Sequence, residues 1–149
     1  MNLAEKMGAG LTGIEQLRAI AASGARSGIG ETLQFELVLI EDGNVAFEGT
    51  PGLHAYNPIG MVHGGYAATL LDSACGCAVH TKLSATQAYT TLELKVCYLK
   101  AMTAGTGKVR AEGKVIQIGR RAAFAEARLV DMAGKLYATA TSSLLIMDR

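Results

Sequence analysis

At 149 residues, half of them apolar, the chain is long enough to bury a real core and too short for two full domains. Cys75, Cys77 and Cys97 are an odd set that makes no disulfide framework, so a reducing cytoplasm is the expected compartment, and no window offers the ~18 consecutive apolar residues of a membrane span. The formal net charge is +1, yet residues 1–81 hold 3 Lys and Arg against 8 Asp and Glu while residues 82–149 hold 11 against 5; the second half suits a polyanionic ligand, whereas scarce aromatics and the lack of a long basic run argue against nucleic acid.

Leu3, Met7, Leu11, Ile14, Leu17 and Ile20 recur at helical spacing, which predicts one amphipathic N-terminal helix over about residues 2–22, ending near Ser23 and Gly24. Glu5, Lys6, Glu15 and Arg18 interrupt its apolar positions, unlike the h-region of a signal peptide, so export is not expected. The following GARSGIG matches neither a P-loop nor a dinucleotide fingerprint. TLQFELVLI then alternates Leu33, Phe35, Leu37 and Leu39 with Gln34 and Glu36, and after the turn EDGN the run VAFEGT continues, which reads as a hairpin.

Val62 to Thr81 reads as a helix that is apolar nearly all round, and four more strands follow in TTLELKVCYL, GKVRAEGKVIQI, RAAFAEARLV and KLYATATSSLLIM. In the first of these, strict alternation places Leu92, Leu94, Val96 and Tyr98 on one face and Thr91, Glu93, Lys95 and Cys97 on the other. The order is helix, two strands, helix, four strands, without a linker or repeat. It predicts a single α+β domain over residues 1–149, with an antiparallel sheet wrapped around the long central helix.

One residue of that central helix needs a reason. Asp72 is the only acid between Glu48 and Glu93, and no Lys or Arg lies between Gly28 and Thr81. At about 100° per residue, Gly65, Thr69, Asp72 and Gly76 fall within about 40° of one another, a small polar face in an apolar helix. A carboxylate there either bonds to neighbouring hydroxyls or serves chemistry in a cleft. Upstream, Asn57, Pro58, Gly60, His63, Gly64 and Gly65 cluster in a loop feeding the helix N-terminus, where unpaired N–H groups and the helix dipole favour a developing negative charge. Each of these also has a plain reading, as turn, packing or backbone-bonding residue. Cys75, Cys77 and His80 diverge around the helix and lack zinc spacing, so no metal is expected.

GMVHGGYAATLLDSACGCA, preceded by Asn57 and followed by TTLELKVCYLKAM, resembles the hotdog-fold acyl-CoA thioesterases, closest to the phenylacetic-acid-degradation (PaaI-like) type. The specific part is Asn, then His-Gly-Gly, then Asp nine residues after the His. The resemblance implies a hotdog fold, subunits paired into a continuous sheet with active sites at the dimer interface, and often a homotetramer arranged as a dimer of dimers. It implies hydrolysis of an acyl-CoA to free acid and coenzyme A, which enters as part of the substrate, so that no cofactor is needed.

Residue by residue, the resemblance assigns Asp72 as general base or nucleophile and the Gly64 backbone N–H as the donor that polarises the thioester carbonyl. His63 would hold that turn, Asn57 would orient the carbonyl or water, and a hydroxyl from the partner subunit would be Thr91, or Thr90 if the loop is one residue different. The family often has Pro where this chain has Ala101 after Lys100. Coenzyme A carries phosphates that want cations, and Arg120 and Arg121, then Lys100 and Lys95, are the candidates for them. Two other functions belong with the same fold, a non-catalytic acyl-CoA-binding protein and a dehydratase, although a dehydratase places its catalytic His differently from His63. The acyl group is left open, with Met61, Ala67 and Ala68, together with a neighbouring subunit, the expected pocket walls.

Overall fold

A computed structural model describes residues 2–149. The N-terminal segment forms two helices in place of the single one expected, α1 (Leu3–Gly8) and α2 (Gly13–Ser23). The break has a local cause: the Glu15 carboxylate accepts from the Thr12 backbone N–H at 2.9 Å and from its hydroxyl at 2.7 Å, which starts a new helix at Thr12. A third short helix, α3 (Gly28–Leu33), occupies the stretch read above only as glycine-rich, capped by the Ser27 hydroxyl on the Gly30 N–H at 3.1 Å.

Six strands follow the expected order: β1 (Phe35–Glu41), β2 (Asn44–Gly49), then, after the long helix α4 (Gly64–His80), β3 (Gln87–Tyr98), β4 (Val109–Ile118), β5 (Ala122–Asp131) and β6 (Leu136–Asp148). They make one antiparallel sheet in the order β1-β2-β4-β5-β6-β3, so β1 and β3 are its edges. Gly43, at φ 76, turns the β1–β2 hairpin.

The sheet curls around α4, as expected. Leu70, Leu71, Ala74, Cys75, Ala78 and Val79 of the helix are fully buried against it, each large apolar side chain contributing roughly 1.5–3 kcal/mol. The approach is closest at Gly113 of β4, where a Cβ would overlap the backbone carbonyl of Ala74. α2 is tied to the far end of α4 by a buried polar join: His80 Nε2 bonds Gln16 Oε1 at 2.9 Å, and Gln16 Nε2 donates to the Gly8 carbonyl at 3.2 Å. Among the described residues no helix is long and apolar enough to cross a membrane.

β3 departs from strict alternation. A bulge between Thr91 and Glu93 leaves Leu92 unpaired and 63% exposed. Thr91 before the bulge and Leu94 after it are both half-buried. The expectation that Thr91 lies with Glu93, Lys95 and Cys97 on the wetter face is therefore corrected, because the extra residue shifts the phase of the strand.

Candidate functional site

The loop entering α4 is built by its own side chains. Asn57 Oδ1 accepts from the backbone N–H groups of Ile59 and Met61, both at 3.1 Å, while the Asn57 N–H donates to the Met61 carbonyl at 2.8 Å. The amide oxygen is thus committed to the turn. His63 is the helix cap: its Nδ1 accepts from the Gly65 N–H at 2.8 Å. Beside it, the Tyr98 hydroxyl donates to the Gly64 carbonyl at 2.7 Å and fixes that peptide from below. The Gly64 N–H itself donates to no acceptor among the described residues, as the first position of a helix allows.

Asp72 is half-buried on α4, two turns further along. Its hydrogen-bond partner among the described residues is Thr91, whose Oγ1 donates to Asp72 Oδ1 at 3.0 Å. Thr90, the alternative, is exposed. The hydroxyl expected from a partner subunit reaches this carboxylate within one chain.

Asp72, Ser73 and Thr91 line one end of a cavity of about 340 Å³. Its other walls are α2, the loop into α3, β1 and β2, contributed by Leu17, Ile20, Phe35, Leu37 and Phe47 among others. Met61, Ala67 and Ala68 do not line it. Cys77 and Tyr89 also line it, and burial, with the Asp72 charge as a lesser cause, pushes the Cys77 thiol up to about 12. Burial likewise raises the Tyr89 hydroxyl well above its ordinary value. Both groups are neutral at physiological pH. Tyr89 sits directly over Gly76, where a Cβ would crowd its ring at 2.9 Å, so the small helix face read from the sequence is filled by an aromatic. A roomier hollow of about 790 Å³ lies elsewhere, lined by Lys95, Arg110, Glu112 and Arg128; ion pairs from Arg110 and Arg128 to Glu112 span it, and Asp72 is not part of it.

The candidate cations are divided. Arg120 and Arg121 lie in the β4–β5 turn beside Gln87, at the start of β3, whereas Lys100 follows the end of β3. At about 3.3 Å per residue the ends of that strand are roughly 30–40 Å apart, so one chain does not bring Lys100 to the two arginines. Lys95 is exposed in the roomier hollow, remote from both. No group of three or more His, Cys, Asp and Glu among the described residues is placed to hold a metal ion.

The spacing of Gly64 and Asp72 is the decisive geometry. Eight residues of helix put the free N–H and the carboxylate about 12 Å apart along the axis. One carbonyl group cannot touch both.

A sequence model of the thioesterase superfamily matches residues 59–138, more than half of the chain. A search of curated proteins found no match. Among solved structures, a thioesterase family protein from Silicibacter pomeroyi is 26% identical, with a TM-score of 0.80 over 91% of this chain and 99% of that one. A thioesterase from Haemophilus influenzae (18% identity, TM-score 0.79, 89% and 90% covered) and the E. coli PaaI protein of the phenylacetic acid degradation operon (17%, 0.77, 91% and 94%) share the fold.

Proposed function

Since the chain belongs to the thioesterase superfamily, we propose that it hydrolyses an acyl-CoA thioester to the free acid and coenzyme A, at sites that two copies of the chain build together. The observation that carries this reading is the Asp72 carboxylate, held by Thr91 alone at the end of a largely apolar cavity.

The ~12 Å between Gly64 N–H and Asp72 on one helix argues that a second copy supplies the missing half of each site. β3 is the edge suited to the purpose: it is twelve residues long, unpaired on its outer side, and carries exposed Leu92 at its bulge and exposed Leu99 just past its end. α4 runs antiparallel to β3, with Gly64 near Tyr98 and Asp72 near Thr91. Two β3 strands paired antiparallel would therefore set Gly64 of the partner subunit towards Asp72, and Lys100 of the partner subunit towards Arg120 and Arg121, which we assign to the coenzyme A phosphates. The three free thiols suit a reducing cytoplasm.

In such a site the thioester carbonyl oxygen accepts from the Gly64 N–H at the positive end of the α4 dipole. The Asp72 carboxylate either takes a proton from water as its oxygen adds to the carbonyl carbon, or adds to that carbon itself and is released by water in a second step. In both, the C–S bond breaks and coenzyme A leaves as a thiolate that is then protonated. Thr91 aims the carboxylate, His63 and Asn57 keep the donor loop in shape, and no cofactor takes part.

The test is release of free thiol from a panel of acyl-CoAs by the parent and by Asp72→Asn, with melting temperature measured on the same preparations. A fall in kcat of about 10²-fold or more, on the order of 3 kcal/mol, in a protein of parental melting temperature supports the assignment. Near-parental kcat in folded Asp72→Asn overturns it, and no release from any thioester by the parent favours a binding protein.

A further inference from the structure

We infer that the N-terminal helices, with β1, form the acyl pocket of this chain and restrict it to uncharged, apolar acyl groups of up to about eleven carbon atoms, taking ~30 Å³ for each heavy atom in a cavity of about 340 Å³. The inference rests on the thioesterase reading, which places the reacting carbonyl at Asp72. The cavity is lined by Asp72 and Ser73 of α4 together with residues of α2, β1 and β2.

Its lining is more apolar than polar, and the acids among it are Glu36 and Asp72. Leu17, Ile20 and Ala21 of α2 face Phe35, Leu37 and Phe47 of the hairpin across it. One cation lines it, and that one is committed: Arg26 is paired with Glu36 at 2.9 Å. Burial keeps Cys77 and Tyr89, which also line it, neutral. A carboxylate carried on the acyl tail would therefore meet Glu36 and Asp72, of like charge, and no cation that is not already paired, whereas each methylene entering the space gains roughly 0.8 kcal/mol. The volume sets the other limit, since a sixteen-carbon chain at ~30 Å³ per carbon exceeds it.

Ile20 is half-buried and Ala21 exposed at the same wall, so both can be exchanged without opening the core. The experiment measures kcat/KM for straight-chain acyl-CoAs from acetyl to palmitoyl, and for succinyl-CoA, with the parent, Ala21→Phe and Ile20→Ala. For the parent, kcat/KM rises about two- to fourfold per methylene to a maximum among the medium chains and falls for palmitoyl, and succinyl-CoA trails butyryl-CoA. Ala21→Phe moves the maximum to shorter chains and Ile20→Ala to longer ones. A flat profile, a preference for palmitoyl or succinyl, or variants that change every substrate by the same factor overturns the pocket while leaving hydrolysis itself established. Should no acyl-CoA be cleaved, the thioesterase reading falls, and binding of non-hydrolysable S-alkyl-CoA thioethers of the same lengths still decides the pocket: affinity must peak at medium length and shift oppositely in the two variants.

Discussion

Thr91 and Asp72 meet at 3.0 Å only because Leu92 is squeezed out of the ladder between β3 and β6. Without the bulge, Thr91 would share a face with Glu93 and Lys95 and point away from the helix. A bulge is a common means of re-aiming one side chain without moving the strand.

The first prediction concerns this pair. Thr91→Val keeps the shape and removes the donor, so kcat should fall about 10-fold, the worth of one hydrogen bond to a charged group. Thr91→Ser should recover most of the loss with an unchanged melting temperature. A serine variant as slow as the valine variant would show that Thr91 acts by packing.

Gly113→Ala should destabilise by several kcal/mol or prevent folding, because its Cβ would meet the backbone of Ala74, which has no rotamer to change. Gly28→Ala, at the first turn of α3 with nothing within 4 Å, should be neutral or slightly stabilising. Urea midpoints of the two variants compare them directly, and equal effects would contradict the close approach.

Stability should fall with acidification. Burial, helped by the Arg149 charge, lowers the His80 imidazole from 6.5 to about 4, so between those values the unfolded chain takes a proton that the folded chain refuses. The contribution is complete above about pH 6.5 and lost as pH falls towards 4, amounting to about 3 kcal/mol. His80→Gln should flatten the dependence of melting temperature on pH over that window; a parent with no slope there would refute the assignment.

Thiol reactivity should divide the cysteines one to two. Burial pushes Cys75 and Cys77 up to about 12, whereas Cys97 is exposed. One thiol per chain should react rapidly with an aromatic disulfide reagent in the folded protein and three in guanidinium. Two rapid thiols in the native state would mean that the Cys77–Tyr89 side of the cavity is open.

The sequence carried the sheet, the central helix and the loop before it because alternation, continuous apolarity and clustered glycines are local signals, and hydrophobic periodicity is strongest in long elements. The break between α1 and α2 was legible too: Thr12 and Glu15 form the Ser/Thr-x-x-Glu pattern of a helix start, and the apolar spacing that ran across it concealed the cap. The bulge at Leu92 and the walls around Asp72 were not legible. Nothing local distinguishes Leu92 from Leu94, and Leu17, Ile20 and Leu37 come to Asp72 from 35 or more residues away through the packing of α2 and β1.

In the proposed dimer, the length of helix between Gly64 and Asp72 makes each chain a donor to two sites and an owner of none. Gly64→Pro would delete the N–H alone, at a first helical position that favours proline and after a His63 already extended at ψ 136, with the Tyr98 ring yielding a few tenths of an ångström. Homodimers of Gly64→Pro and of Asp72→Asn would each be inert. Mixed and allowed to exchange subunits, they would regain about a quarter of parental turnover, since half the pairs are hybrids with one whole site and one doubly damaged site. Two dead proteins would complement each other in a tube, as mutant alleles do in a cell.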